Sequence, residues 1–495
     1  MSRPPSVSRG SIRRPRPVAL GAALAFGLLA NVALAAPPQL QAPTDEDLQN
    51  DKGASGLFGF TNNLERSGYL LGDMWGLRTQ LARAGITFAL SETSEVLGNV
   101  TGGAHHGFDY DGLTQMAVQL DTKRAFGWYG GTFNASALQI HGRNLSADNL
   151  DSLQTSSGIE SDRATRLWEL WYQQKFLDED RLDVKIGQQS LDQEFMVSQN
   201  ALLYVNTMFG WPMVPSADLP GGGPAYPLSA LGIRFRAKPT DSITVLAGLF
   251  NGSPVNNPNG DSQQVNASGT SFATNGGGLA IAELQYAYPS LGTMLYADQP
   301  EPLSRTYRLG FWYDTERFAD QRFDSIGLSQ ANPGTSGFPA THRGDYGIYG
   351  VVDQMLWVDS AEPDRSISVF ARVMGTPEVN RNLISFSANL GVNFKEPFLG
   401  RDDDTFGLGM GYAKVSSGAA GLDRDTQAFG GGYTPVRSNE TFVEATYQYA
   451  AAPWLQLQPD VQYIMNPGGG VANPTSVDQR IKNELVFGLR TNILF

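Results

Sequence analysis

The sequence has no cysteine in 495 residues and only four histidines. Without cysteine, the chain has no disulfide framework, no thiolate metal site and no thiol nucleophile. Beyond residue 35 it also lacks an apolar run of about 18 residues, which excludes an ordinary membrane-spanning helix there. Acidic residues outnumber basic ones by 49 to 36, so the formal net charge is -13 and a nucleic-acid partner is not expected.

The amino terminus has the parts of a secretory signal peptide, and we predict that residues 1–35 are removed. Five arginines precede an apolar run over 18–34, which ends in the small-residue cleavage site Ala33-Leu34-Ala35. The arginine pair at 13–14 is followed by Pro15, which favours the general secretion route over the twin-arginine route. Loss of five arginines and no acid would move the net charge from -13 to -18.

Two short segments separate this signal from the body of the chain. Residues 36–69 begin with a proline-rich, acidic stretch and are predicted to form a periplasmic N-terminal extension. Residues 70–84 are predicted to form a short amphipathic helix, because apolar residues recur there at helical spacing: Leu70, Met74, Leu77 and Leu81.

The end of the chain alternates strictly. One face of a strand there would carry Leu485, Phe487, Leu489, Ile493 and Phe495, and the other Gly488, Arg490 and Asn492. The first face suits hydrocarbon and the second suits water. A soluble sheet can alternate in the same way, so this strand alone does not decide the fold.

From residue 85 onward, every convincing segment has a period of two. Sixteen segments qualify: 86–95, 113–121, 131–141, 166–176, 182–190, 231–238, 242–250, 278–287, 306–316, 346–358, 366–374, 386–395, 405–415, 440–449, 454–464 and 484–495. The links between them mostly alternate between short and long, although 288–305 and 375–385 fit less well. This predicts an all-β fold, a 16-stranded antiparallel transmembrane β-barrel over 85–495 with short periplasmic turns and long external loops.

Sixteen strands leave an aqueous lumen. The link 191–230 has far more chain than a hairpin needs, and five prolines stiffen it while Gly221 to Gly223 permit tight bends. We predict that it folds inward as a constriction. The alternative is a loop that caps the barrel from outside.

The same region carries the most distinctive motifs of the chain. They include Asp192-Gln-Glu194-Phe195, Phe209-Gly-Trp-Pro212, Leu219-Pro-Gly-Gly-Gly-Pro-Ala-Tyr-Pro-Leu228 and, further on, Phe370-Ala-Arg372 and Pro459-Asp-Val-Gln-Tyr463. In this order they resemble the carbohydrate-selective outer-membrane porin family, the OprB type, over about residues 69–495. The resemblance implies a sixteen-stranded barrel through which sugars such as glucose diffuse passively. Loops 251–277, 317–345 and 416–439 match no family pattern and leave the sugar preference open.

A sugar presents hydroxyl groups and flat apolar ring faces, which charged groups and aromatic rings can bind. The candidate pore-lining residues are Glu169, Asp192, Glu194, Trp211, Arg234, Arg236, Arg308 and Arg490. For each charge the alternative is an ion pair that fixes the loop to the wall. This alternative is strongest for Asp192 and Glu194 with Arg234 and Arg236, which flank the two ends of the loop.

No catalytic, metal or cofactor site is indicated. His105-His106 and the acidic run 402–404 lack the spacing of metal ligands, and Gly221 to Gly223 lack the Lys-Ser/Thr of a phosphate loop. Three rival functions stay open. They are a general diffusion porin without sugar preference, an outer-membrane barrel enzyme with His141 as its base, and an adhesive barrel.

The combined expectations place the protein in the outer membrane of a Gram-negative bacterium. Its expected partners are sugars, outer-membrane lipids and the barrel-assembly machinery, which would recognise the last strand ending at Phe495. The sequence is compatible with a monomer or a homotrimer.

Overall fold

The computed structural model describes four stretches of the chain: 68–257, 260–289, 303–362 and 365–495. The predicted signal peptide at 1–35 lies outside the described residues. So do nearly all of the predicted extension at 36–69 and most of the link at 288–305.

The described residues form eighteen β-strands. These are β1 Ile86–Thr101, β2 Gly107–Asp121, β3 Gly131–Gly142, β4 Ala164–Phe176, β5 Leu182–Gln189, β6 Ala230–Thr240, β7 Ile243–Asn251, β8 Gly278–Tyr288, β9 Arg305–Asp324, β10 Pro339–Val358, β11 Ser366–Gly375, β12 Ile384–Lys395, β13 Thr405–Val415, β14 Asn439–Ala452, β15 Leu455–Met465, β16 Ala472–Asn473, β17 Ser476–Arg480 and β18 Glu484–Leu494. β16 and β17 form a separate small hairpin, and the other sixteen strands close an antiparallel barrel in which β18 pairs with β1 and β15.

The predicted sixteen-stranded barrel is therefore confirmed, and each predicted segment lies on one strand of the barrel. Several strands are longer than predicted, most clearly β9 and β10 with 20 residues each. β1 and β2 are also longer, so the link between them has shrunk to 102–106. These extensions contain many polar residues, so hydrophobic alternation does not predict them as parts of strands.

Burial alternates along the strands as a barrel with a polar interior requires. On β15, Val461 and Tyr463 are exposed on the outer surface, whereas Gln458, Asp460 and Gln462 are buried on the inner face. On β18, Phe487 and Leu489 face outward and Arg490 faces inward. The two faces therefore have the polarity predicted from the sequence.

The links at the two ends of the barrel differ in size. At the end where the described chain begins, the fully described links are 122–130, 177–181, 241–242, 396–404 and 453–454. At the opposite end they are 102–106, 143–163, 190–229, 325–338, 376–383, 416–438 and 466–483. The long links thus share one end, as in barrels with large external loops.

The helices are short and lie between strands. They are α1 Leu77–Arg83, α2 Thr122–Phe126, α3 Met213–Asp218, α4 Ser262–Val265 and α5 Ser417–Gly430. α1 occupies only the second half of the segment predicted as a helix over 70–84, because the chain forms turns before Gly76. Among the described residues, no helix has the length and apolar character needed to span a membrane.

Contacts from α1 and the inner wall reinforce the seam where the barrel closes. Arg490 on β18 forms a buried ion pair with Glu95 on β1. Arg78 of α1 is also buried and donates hydrogen bonds to the backbone carbonyl oxygens of Phe495 and Phe88. The guanidinium group of Arg78 lies 4.4 Å from the centroid of the Phe88 ring. A single side chain thus joins the first helix to both strands of the seam.

We expect Arg78→Leu to weaken this seam, because buried carbonyl groups would lose a charged donor. Roughly 2–6 °C should be lost from the temperature at which the folded form changes to the unfolded form on a denaturing gel. Arg83→Leu removes an exposed arginine from the same helix and is the matched control. Equal melting of the two variants would contradict the role assigned to Arg78.

Candidate functional site

Residues 190–229, which we call the inner loop, connect β5 to β6 and fold into the barrel interior. The loop contains α3 and four short 3₁₀ turns, Leu191–Gln193, Asn200–Leu203, Thr207–Phe209 and Pro220–Gly222. Gly221, Gly222 and Gly223 all have positive φ angles, a conformation that is strained for residues with a side chain. The glycine run therefore permits the bend that returns the loop towards β6.

An aromatic cluster packs the inner loop against the far wall. Phe209 stacks on Tyr204 with 4.3 Å between ring centroids, and its edge meets Phe370 on β11 and Phe442 on β14. The wall has space for these rings because β13 has glycine at an inward-facing position. A Cβ atom at Gly409 would lie 2.6 Å from Phe209 Cζ.

Arg372 on β11 is the main hydrogen-bond donor from the wall to the inner loop. Its side chain is 1% exposed and donates to the backbone carbonyl oxygens of Met196 (2.9 Å), Gly210 (2.7 Å) and Met208. Carbonyl groups in irregular backbone have no strand partner. One guanidinium group satisfies three of them at once.

Carboxylates on three strands accept from the loop. Asp353 on β10 accepts from the Ser198 hydroxyl and from two backbone N–H groups, whereas Glu283 on β8 accepts from Met196 N at 2.9 Å. Glu444 on β14 accepts from Val205 N at 2.6 Å and from the next N–H group at 3.0 Å. The inner loop is therefore bonded to the wall opposite its point of origin.

The external loop 143–163 covers the inner loop. Gly158 N donates to Val205 O at 2.9 Å, and the Thr207 hydroxyl donates to Ser157 O at 2.6 Å. Within the covering loop, burial raises the pKa of Glu160 to about 8, although the carboxylate accepts from Ser146 N and Oγ. The sequence did not identify this loop as part of the site, because its serine- and threonine-rich composition resembles that of an ordinary surface loop.

Near its origin, the inner loop contributes to a group of five charged side chains and one aromatic ring that we call the wall cluster. Its members are Trp171, Asp183, Lys185, Glu194, Arg234 and Arg236. Glu194 of the loop pairs with Lys185 on β5 and with Arg234 on β6, which lies 2.6 Å away. Asp183 pairs with Arg234 and with Arg236 at 2.6 Å. Two acids thus bridge three cations.

The electrostatic setting of the two loop acids differs. Burial opposes ionisation of Glu194, but the charges of Lys185 and Arg234 outweigh it and hold its pKa at about 2. Burial raises the pKa of Asp192 to about 6, although Ser190 Oγ and Tyr226 N donate to it. Asp192 therefore holds the two ends of the loop together through hydrogen bonds.

The structure separates the eight residues singled out from the sequence into several places. Asp192, Glu194, Arg234 and Arg236 lie together at the base of the loop, and Glu169 on β4 accepts from Ser190 N at 3.0 Å beside them. Arg308 pairs with Asp353 at 2.8 Å on a different part of the wall, and Arg490 lies at the seam. Every charge of the set has a polar partner in the protein.

Trp211 does not face the lumen. Only 1% of its surface is exposed, and its indole N–H donates to Gly222 O at 3.0 Å inside the loop. The partly exposed tryptophan on the inner wall is instead Trp171 on β4, with Lys185 Nζ 4.5 Å from its ring centroid. The sequence could have indicated Trp171 as a lining residue, because it lies two residues after Glu169 and strand alternation places both side chains on the same face.

The least buried charge of the wall cluster is Arg236, with 35% of its side chain exposed, followed by Glu194 with 18%. With the free part of Trp171, they offer donors, acceptors and an aromatic surface to a solute in the lumen. Across the described part of the chain, no three histidine, aspartate or glutamate side chains are arranged to hold a metal ion.

The chain has clear relatives among known proteins. The family model for the carbohydrate-selective porin, OprB family, matches residues 105–495. Porin B of Pseudomonas aeruginosa is 27% identical over 451 residues, covering 87% of this chain and 92% of the relative. The putative porin QuiX of Acinetobacter baylyi is 22% identical over 422 residues, with coverages of 81% and 89%. The high-pH structure of Pseudomonas putida OprB has a TM-score of 0.75 at 25% identity, covering 87% of this chain and 99% of that one.

We expect Arg372→Leu to release the inner loop, because each carbonyl left unpaired costs about 1–3 kcal/mol. Single-channel conductance in a planar bilayer should rise, and the loop should become cleavable by protease in the folded barrel. Arg322→Leu, which removes an arginine paired with Asp425 outside the lumen, should change neither property. An Arg372→Leu channel with wild-type conductance and protease resistance would refute the anchoring role.

The pKa values predict opposite pH dependences at the two loop acids. Glu194 has a pKa of about 2 against an ordinary 4.5, so its pairs stabilise the fold above about pH 4.5 and are lost as the pH falls towards 2. Asp192 has a pKa of about 6 against 3.8, so its ionisation destabilises the fold as the pH rises between these values.

The opposite pH dependences of Glu194 and Asp192 can be checked by measuring thermal unfolding from pH 2 to 8. The stability advantage of the wild type over Glu194→Gln should shrink as the pH falls below about 4.5. Relative to Asp192→Asn, the wild type should gain stability as the pH falls from about 6 to about 4. Parallel pH profiles for both variants would contradict the assignment.

Proposed function

We propose a specific sugar path for this chain, which belongs to the carbohydrate-selective porin, OprB family. The protein is a carbohydrate channel of a Gram-negative outer membrane. Within it, we place the passage of monosaccharides such as glucose along the inner wall of β4 to β6, where the inner loop narrows the lumen. Transport is passive, because the barrel offers a route and no energy source.

The observation that carries this proposal is the partly exposed ring of Trp171 in the same wall cluster as Glu194, to which it is linked through Lys185, and Arg236. One side of the ring is occupied by Lys185 Nζ, and its remaining accessible surface suits the apolar face of a pyranose. Arg236 would donate to sugar hydroxyls and Glu194 would accept from them. A weak site of this kind favours sugars over other solutes of similar size without retaining them.

The other predicted lining residues take supporting roles in the proposal. Glu169, Asp192 and Arg234 hold the loop base against the wall, so they set the width beside Trp171. Arg308 and Arg490 fix the loop at more distant points through Asp353 and Val205 O. Trp211 gives the loop a rigid interior.

The surroundings of the channel complete the proposal. Residues 1–35 direct secretion and 36–69 form a periplasmic extension. Outer-membrane lipids cover the apolar outer face, and the assembly machinery recognises β18 and Phe495. A monomer and a homotrimer are both consistent with this sugar path.

The test is Trp171→Leu, which keeps an apolar side chain but removes the flat ring. In liposome-swelling assays at low solute concentration, glucose entry should fall roughly two- to tenfold, the range expected for one lost ring contact. Entry of a neutral amino acid of similar size should change little. Trp128→Leu, in the exposed link between β2 and β3, is the control.

Entry of a disaccharide should be measured in the same assay, because a larger sugar reports the width of the pore rather than recognition by the ring of Trp171. Equal changes for glucose and the amino acid would overturn the sugar site and support a general diffusion porin.

A further inference from the structure

Two aspartates face each other on the inner wall of the barrel, near its external end. Asp314 on β9 lies directly opposite Asp345 on β10 in the strand register. Both side chains are fully buried. Like charges directly opposite each other on neighbouring strands destabilise a sheet, and burial adds to the cost when the charges are not compensated. The pair therefore calls for a compensating group.

Each aspartate uses only one of its carboxylate oxygens within the described part of the chain. Asp314 Oδ1 accepts from Glu316 N at 2.8 Å, and Asp345 Oδ1 accepts from Asn382 Nδ2 at 2.9 Å. The Oδ2 atoms of both aspartates are buried and have no hydrogen-bond partner among the described residues. Two acceptor atoms on neighbouring strands are thus left unsatisfied on the same face of the wall.

A third unsatisfied oxygen belongs to a neutral side chain. Asn382, in the link 376–383, is also fully buried. Its amide nitrogen donates both to Asp345 Oδ1 and to Thr376 Oγ1, each at 2.9 Å, which fixes the orientation of the amide. Asn382 Oδ1 then lies buried beside Asp345 without a donor among the described residues. This amide oxygen is a sign of a bound ligand that does not depend on the two acids.

The positive charge near this group is engaged elsewhere. Arg381 acts on Asp345 through its charge, but its guanidinium group pairs with Glu378 at 2.7 Å and donates to two backbone carbonyl oxygens. Glu378 and Glu316 add further negative charge beside Asp345 and Asp314. The surroundings therefore favour a cation as the compensating group.

Two local features of the backbone leave room at the pair. The strand register shifts between Arg343 and Asp345, as in the β-bulges that re-aim side chains beside functional sites. Gly252 packs against the carboxylate of Asp314, and a Cβ atom there would lie 2.8 Å from Asp314 Oδ1. The lack of a side chain at 252 therefore leaves space beside the carboxylate.

We propose that Asp314 Oδ2, Asp345 Oδ2 and Asn382 Oδ1 bind a calcium ion, with water or backbone oxygens completing its coordination. Calcium takes roughly six to eight oxygen ligands and accepts both carboxylate and amide oxygens. A set without nitrogen or sulfur selects a hard cation over zinc or copper. The set contains two acids and one amide, so it differs from the arrangements of three acids or histidines that the described chain lacks.

The position of this calcium site links it to the inner loop. Asp218, the last residue of α3, accepts from Leu383 N at 2.8 Å and from Ile384 N at 3.1 Å, directly after Asn382 in the chain. An ion bound to Asn382 thus steadies the segment that holds α3. Its positive charge also offsets the repulsion between Asp218 and Asp345. Calcium therefore stabilises the external end of the inner loop.

Metal analysis of the protein extracted from outer membranes tests the proposal. The wild type, passed through a desalting column in detergent, should retain about one calcium per chain more than Asp314→Asn combined with Asp345→Asn. These substitutions keep the size of both side chains and remove their charge. Calcium carried by lipopolysaccharide is common to both proteins, so the difference between them is the measured quantity.

Asp324→Asn is the matched control for the double variant. Asp324 is also buried on β9, but four hydrogen-bond donors satisfy its carboxylate. This control should retain as much calcium as the wild type.

A second measurement uses the wild type alone and does not depend on the folding of a variant. Adding millimolar calcium to protein treated with EDTA should raise the temperature at which the folded form unfolds on a denaturing gel by about 3–6 °C. Protease should then cleave the inner loop more slowly. Magnesium should have a smaller effect, because it keeps its own water ligands and needs stricter geometry.

Terbium luminescence locates the ion. Tb³⁺ takes the oxygen ligands of calcium sites and emits light when a nearby tryptophan is excited. Trp312 is buried on β9, two residues before Asp314 and on the same face. The emission should fall severalfold in Trp312→Phe and persist in Trp128→Phe, which changes the exposed link 122–130. Equal emission from the two variants would count against the site.

Two further results would overturn the proposal. One is equal calcium content in the wild type and in a double variant that keeps its heat-dependent gel mobility. The other is a wild type whose unfolding temperature responds neither to EDTA nor to calcium, which would mean that the two aspartates share a proton instead. If the double variant fails to fold, the calcium response of the wild type decides between these alternatives.

Discussion

The backbone of the inner loop sets the constraint on which the site depends. An irregular segment inside a barrel takes its N–H and C=O groups away from bulk water, and each must find a partner there. The wall provides these partners in complementary form, with Arg372 for carbonyl groups and Asp353, Glu283 and Glu444 for N–H groups. These bonds hold the loop across the lumen.

This constraint explains why so many inward charges are tied up within the protein. A charge that holds the loop has little capacity left for a passing solute, so abundant charge on the inner face does not by itself mean substrate contact. The groups that retain partial exposure, Arg236 and Glu194, lie at the base of the loop, where both structural and solute contacts are possible. In the proposed sugar path, selectivity and anchoring thus use neighbouring groups of one cluster.

The sequence predicted the barrel well because its signal is local. Alternation over ten residues reports which face of a strand is polar, and neighbours along the chain pair with each other. The charges of the loop base were also predictable, since Glu194 and Arg234 flank one long link. The sequence could not show which of Trp211 and Trp171 is the more exposed. Their exposure depends on how the loop packs against strands more than a hundred residues away, such as β11 and β14.

The same limit applies to Arg372, which was noted only as part of a motif. Its partners, Met196, Met208 and Gly210, become adjacent only after the loop has crossed the lumen. A group of polar side chains on the outer surface of the barrel could not be predicted for a different reason. Glu92, Thr114 and His141 belong to three strands, and only the register of those strands shows that they share one outward surface.

The inner loop also has a mechanical consequence. A ring of sixteen strands is compliant in cross-section, because each strand is bonded only to its two neighbours, and lateral pressure from the bilayer can flatten it. The loop leaves the wall between β5 and β6 and is bonded to β11 and β14 on the far side, so it acts as a cross-brace. We therefore expect membrane tension to deform the two ends of the channel more easily than the level at which the inner loop crosses it.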